Sequence, residues 1–431
     1  MRIYWLILQN TVTVLGLLIA TGCASITETV SSTIDYVTPD PGLVEVDYVA
    51  HFGEKDGIEL EVFDHRFFVP ERALSLPALF TLTTDDDYEE ASLRLLRDKA
   101  FNQSYKDIEK LASAAKFTPY LEAKLFAAWA NKLSISKSVS NLVLFTAMKK
   151  KGYRTLLVSS LSQQEVMIAT HRRLLLSTYF LTDDNTGEPY GHAYPILAKY
   201  PAKFDTSNSR VVIKTQNMKP LDIFAGLDTF TNHKRYEKVR TRQVSFFYKG
   251  KRLRIDLDYS VPVSQYHYRL PPIDYEQSGD YITKYTVFDA FTGKSMRAAV
   301  AEYVDDPNNK LEVARFLLAM TQYGFEYKTD DEYYGHSHPV FAKAMLLPRT
   351  EASDCEDKTF FFNASARLFG IETAIALVPG HMFSLIALPP PSNESHFFQG
   401  RWLAAEATGR GHSLGEVYSY LEGITPEIFL E

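Results

Sequence analysis

The chain has 431 residues, 45% of them hydrophobic, with a formal net charge of −7 and a pI near 5.9. That length is enough for two or three domains with real cores. The acidic balance excludes nucleic acid, and an anionic membrane surface, as the main partner.

The first residues read as a processing signal rather than as structure. Met1-Arg2 supplies a small positive charge, Ile3 to Ala20 is mostly apolar, and the small residues Ala20-Thr21-Gly22 precede Cys23. This run resembles the lipobox of bacterial lipoproteins, with Ala20 where leucine is commoner. The resemblance implies removal of residues 1–22, diacylation of Cys23 and, with Ala24 rather than an aspartate next, sorting to the outer membrane facing the periplasm. A plain signal peptide or an N-terminal membrane anchor is the alternative. The expected place is the cell envelope, with the lipid on Cys23 as the membrane contact. Residues 23–42, rich in Ser and Thr and carrying Pro39 and Pro41, read as a tether.

A β-rich opening follows over 43–70, where Leu43, Val44, Val46, Tyr48, Ile58, Leu60 and Val62 alternate. Asp85-Asp86-Asp87 then starts a helix from about Tyr88 to Lys116, and the acidic residues suit its positive end without implying a metal. A second helix is expected over 119–132. A third runs from Val139 to Lys151, ends at Gly152, and leads into the strand Tyr153 to Val158. From 179 to 300 the texture is strands and turns, including the loop Thr182 to Gly187. Val244 to Tyr259 is a hairpin turning at Gly250, with Leu253, Ile255 and Leu257 on one face. Pro262, Pro271 and Pro272 mark a linker-like passage, which puts the start of a last domain near residue 295.

That domain, 296–431, opens with helices over Met296 to Tyr303 and Asn309 to Gly324. The loop after them holds Asp330, Asp331 and Glu332, whose spacing fits no calcium loop. It also holds His336 and His338, read as a groove or solvated loop rather than a metal site; His412 is placed on a surface turn. Cys355 falls in the first turn of the next helix. Ser353 or Asp354 is expected to cap that helix, and Glu356 or Asp357 to complete a capping box. The helix end favours thiolate, the carboxylates oppose it, and a base is therefore required. Only Cys23 and Cys355 are cysteines, so once Cys23 carries lipid Cys355 has no disulfide partner. The charged neighbours, Lys358 included, argue against a buried apolar role for it. His381, 26 positions on, opens a strand after Pro379-Gly380 that should pair antiparallel with Ile371 to Val378. A third strand, Arg401 to Thr408, sets Glu406 among Leu403, Ala404 and Ala405, where a carboxylate needs a partner. The imidazole of His381 supplies one.

Ser-Asp-Cys355-Glu-Asp-Lys, a helix ending at Gly370, Pro-Gly-His381, and Trp402-Leu-Ala-Ala-Glu406-Ala-Thr408-Gly resemble the transglutaminase-like superfamily of papain-type cysteine enzymes. The match covers roughly residues 300–431, and Glu406 stands where the family usually has Asp. The resemblance implies an α+β fold with a papain-like core. It also implies a Cys355–His381–Glu406 triad, a thioester acyl-enzyme on peptide or amide bonds, and the backbone N–H of Cys355 as one oxyanion donor. It implies a peptide or protein substrate; no cofactor is expected and no metal-binding residue is assigned, and whether Ca²⁺ is needed stays open. The family also includes amine-dependent transglutaminases and inactive members that would only bind a partner. Aligning Gly152 with Gly370 sets Lys137 opposite Cys355, so the region near 88–200 reads as a degenerate unit of the same kind. Helix–Gly–strand is a common arrangement, and chance serves equally well.

Overall fold

The structure, a computed structural model, describes residues 50–430 except 54–55, 64, 75–84, 134, 160–163, 172–178, 183–188, 197–209, 216–217, 227–237, 272–283, 334–338, 349–351 and 392–394. Cys23, the tether, the strand residues up to Tyr48, Pro272, and His336 and His338 lie outside the described residues. Among the described residues no helix is long and apolar enough to cross a membrane.

The fold is α+β, and it runs through one order of elements twice. In the first half, β1 (Ala50–Gly53) and the hairpin β2 (Ile58–Val62)–β3 (His65–Val69) precede four helices: α1 (Asp85–Arg97), α2 (Lys99–Ala114), α3 (Pro119–Lys132) and α4 (Lys137–Lys151). The single helix expected over 88–116 is two, because Asp98 accepts Phe101 N–H at 2.7 Å and so caps a new helix in mid-run. Five strands follow: β4 (Thr155–Ser159), β5 (Gln164–Thr170), β6 (Tyr179–Thr182), β7 (Pro189–Pro195) and β8 (Arg210–Lys214).

The second half opens with the hairpin β9 (Val239–Tyr248)–β10 (Lys251–Ser260). Lys249 and Gly250 both have positive φ, the two-residue turn that matches strand twist. Helices α5 (Val261–Tyr268), α6 (Ala290–Tyr303), α7 (Lys310–Gly324) and the single turn α8 (Asp330–Tyr333) come next, with β11 (Glu326–Tyr327) between the last two. The hairpin packs on α6 and α7, as β2 and β3 pack on α2 and α3. Then follow β12 (Ala352–Ser353), α9 (Cys355–Arg367), β13 (Thr373–Val378), β14 (His381–Ile386), β15 (Phe397–Phe398), β16 (Trp402–Ala405) and β17 (Glu427–Leu430).

The two five-stranded sheets have the same topology. Their orders are β6-β7-β5-β4-β8 and β15-β16-β14-β13-β17, antiparallel at every step. Register agrees too: Thr155 faces Ile168 and Thr373 faces Ile386, each pair displaced by 218 positions. Gly152 and Gly370 both take positive φ at the same helix end, where a side chain would be strained.

Apolar residues from both halves join one core that runs between the helices and one face of each sheet. On β13 and β14 the alternation is clean. Ile375, Met382 and Ile386 face that core, while Ala374, Ala376, Phe383 and Leu385 face a smaller cluster with Trp402, Val417 and Leu421.

Candidate active site

Cys355 is the first residue of α9, and α9 packs across β14. Thr359, one turn in, donates to the carbonyl of Met382 at 3.3 Å, and Ser384 reaches back toward Thr359 O at 3.5 Å. These bonds set the helix start beside the start of β14, where the backbone of Met382 favours charge on the Cys355 sulfur. Pro379 and Gly380, the latter at φ +75°, turn the chain in two residues and make His381 the first residue of β14, opposite Val378.

β16 runs antiparallel to β14 with Ser384 opposite Ala405, so its end meets the start of β14. Glu406 lies just past that end. Its Oε1 accepts the N–H of Thr408 at 3.0 Å as well as the Thr408 hydroxyl, a local turn that ends the strand three residues short of expectation. Its Oε2 meets His381 Nε2 at 2.8 Å. Glu406 is fully buried and His381 nearly so. Burial pushes the Glu406 carboxyl up, but the hydrogen bond and charge of His381, with both Thr408 donors, outweigh it and hold the pKa low. Gln322 fixes the backbone here by donating to Glu406 O at 2.8 Å and His412 O at 3.0 Å.

With Nε2 committed to Glu406, Nδ1 is the imidazole nitrogen left for a thiol. In this structure the thiol hydrogen bond goes elsewhere: Cys355 Sγ donates to Glu356 Oε2 at 3.0 Å. Burial, then the charges of Glu356 and Asp354, push the thiol well above its ordinary pKa. The structure thus joins His381 to Glu406 directly, while the thiol of Cys355 bonds Glu356.

Two expectations are corrected. The polar run around Cys355 does not mark an exposed segment: Asp354, Glu356, Asp357 and Lys358 are all buried, and Cys355 is the partly exposed member. Lys358 is buried because its ammonium closes the end of α7, donating to Phe325 O at 2.9 Å and Gln322 O at 3.3 Å. Nor do the expected caps form. Asp354 holds the cap position without a capping hydrogen bond, its Oδ2 accepting Asp330 N–H at 3.4 Å. Ser353 donates to Glu326 O at 3.2 Å, and Asp357 accepts Val340 N–H at 2.6 Å. The tertiary partners outcompete the cap.

Asp330 is the residue that sequence reasoning missed. It is buried, and its carboxylate oxygen lies within 4.8 Å of those of Asp354 and Asp357. It joins them only because β11 pairs with β12, 26 positions downstream, which nothing local signals. Burial first, then its neighbours' charges, raises Asp354 to about 9 and keeps Asp357 well above the usual carboxylate range. Asp354 Oδ1 and Asp357 Oδ2 are buried without a hydrogen-bond partner, and an acidic cluster alone assigns no metal ligand. His412 is no mere surface turn: its ring lies 4.8 Å from that of Tyr418, which in turn lies 5.7 Å from His381. Tyr420 stacks on Tyr418 at 5.5 Å and is 62% exposed, so an open aromatic wall flanks the imidazole.

No protein-family model, no curated protein and no solved structure matches the chain.

Proposed function

We propose that the chain is a transglutaminase-like cysteine enzyme with a papain-like core that cleaves peptide or amide bonds through Cys355, His381 and Glu406. One observation carries the reading. A buried glutamate orients a histidine at 2.8 Å, at the point where a helix beginning with the one free cysteine among the described residues crosses that histidine's strand.

In the proposed reaction, His381 Nδ1 takes the thiol proton and the sulfur attacks the carbonyl. Glu406 stabilises the imidazolium, which then protonates the leaving amine, and water resolves the thioester. The N–H of Cys355, at the start of α9, is one donor to the oxyanion. The proposal includes a lipid on Cys23, a place in the cell envelope facing the periplasm, and a peptide or protein substrate.

A second reading, an inactive groove that binds a peptide or protein, is favoured by the thiol's bond to Glu356. Profiling of the purified protein against a peptide library, with Cys355→Ala as control, decides between them. We expect hydrolysis that disappears in Cys355→Ala. Equal product from both proteins sinks the peptidase reading, and no product from either favours the groove. Appearance of an added primary amine in the product would indicate amine-dependent transfer instead.

A further inference from the structure

The carboxylate that touches the nucleophile belongs to none of the steps above. Glu356 follows Cys355 directly, is buried, and accepts the thiol hydrogen bond at 3.0 Å. An S–H group has one proton to donate. While it is given to Glu356 it is withheld from Nδ1 of His381.

We propose that Glu356 is a positioning residue that holds Cys355 in a resting, protonated state turned into the carboxylate cluster, so that activation begins by moving the S–H bond from Glu356 to Nδ1 of His381. This rests on the catalytic reading for its second half only. The step balances simply: the S–H bond breaks, an N–H bond forms, and the electron pair stays on sulfur. No oxidant or co-reactant is needed.

The surroundings of the sulfur favour this arrangement. From α9 it meets Glu356 and Asp354, whose oxygens lie within 4.8 Å of it. From β14 the backbone of Met382 favours the thiolate. Tyr327 of β11 and the exposed Tyr420 lie within electrostatic reach of the sulfur, and Asp330 of α8 within reach of Glu356. Lys358, the nearest lysine in the chain, has its ammonium on the α7 carbonyls instead. A negative charge in contact with the sulfur raises the cost of thiolate, and that cost grows as water is excluded.

The test reads the thiol itself. The rate of iodoacetamide alkylation of the Cys355 peptide is followed by mass spectrometry against pH, in the wild type, Glu356→Gln and Glu356→Asp. Circular dichroism checks the fold of each. Glu356→Gln keeps the shape and removes the charge. We expect its profile to move at least one unit to lower pH, so that alkylation at pH 7.5 speeds up about tenfold. Glu356→Asp withdraws the carboxylate by one methylene and should move the profile in the same direction by less. A folded Glu356→Gln with the wild-type profile overturns the proposal. Should that variant not fold, an unmoved profile in Glu356→Asp does so. Alkylation needs no turnover, so a shifted profile without peptide hydrolysis leaves Glu356 in place and removes only the peptidase reading. Hydrolysis with an unmoved profile does the reverse.

Discussion

The two halves of this protein use one scaffold for different ends, and the contrast sits at a few positions. Both place a helix against a five-stranded antiparallel sheet of the same order, with a glycine of positive φ between helix and first strand. Both tie that helix to the second strand by the same bond. Asn141 donates to Gln164 O at 2.8 Å, and Thr359 donates to Met382 O at 3.3 Å, each 218 positions apart. The helix starts diverge. Ser136 caps α4 by accepting Val139 N–H at 3.4 Å, and Lys137 pairs with Glu165 at 3.2 Å in a largely exposed contact. At the matching start of α9, Asp354 makes no cap and Cys355 replaces the lysine. The first half spends its helix terminus on local stability. The second leaves it for chemistry and stabilises the region through tertiary contacts instead. The 218-position displacement sets Gln163 opposite His381, and the sheet register, with Met167 facing Pro195 as Leu385 faces Ala404, sets Leu197 opposite Glu406; both lie outside the described residues.

The sharpest way to break the comparison is to exchange charge for shape at the pair that only the second half has. Glu406→Gln keeps the volume but removes the anion that holds His381 Nε2, and should lower kcat by about 10³–10⁴-fold if the triad reading holds. Lys137→Ala in the first half should leave turnover within about twofold, since a surface ion pair contributes under ~1 kcal/mol. Steady-state hydrolysis of one peptide by both variants checks this. Equal losses would mean that the first half takes part in catalysis.

The next largest effect concerns how each half closes the helix before its key helix. Lys358 stops α7 with two carbonyl bonds, and the equivalent Ser140 donates to Ala130 O near the end of α3. Lys358→Ala leaves buried carbonyls unsatisfied and a cavity, costing roughly 3 kcal/mol. Ser140→Ala loses one neutral bond, at about 1 kcal/mol. Urea unfolding at neutral pH measures both, and a reversed order would show that the two contacts are not equivalents.

The smallest effect is the pH dependence that the acidic cluster gives the second half. Asp354 is raised to about 9, so the folded state holds its proton more tightly than the unfolded chain does. Stability is therefore lost as pH rises from the unfolded carboxylate range toward 9. Asp354→Asn removes that loss and should stabilise the protein by on the order of 2 kcal/mol at pH 8, with the gain vanishing near pH 3. Melting temperatures at the two pH values test it. Equal gains at both would point to shape rather than charge.

Local chemistry was enough to read several features from the sequence alone. The positive-φ glycines at 152, 250, 370 and 380, the β9–β10 hairpin, the helix opening at Cys355, and the strand opening at His381 are all short-range consequences of side-chain size and backbone preference. The partner required by a glutamate among alanines was equally legible, because burying an unpaired charge is costly at any place in a fold. What the tertiary structure decided is which acceptor each polar group found. Asp98 broke a helix that periodicity ran through, and Asp354, Glu356 and Asp357 abandoned their caps for Asp330, the thiol and Val340. Those partners lie 17 to 24 positions away or depend on which way a side chain is buried, and no local pattern ranks one hydrogen bond above another. The same holds for Cys355: its place in the chain follows from sequence, and the destination of its proton follows from packing.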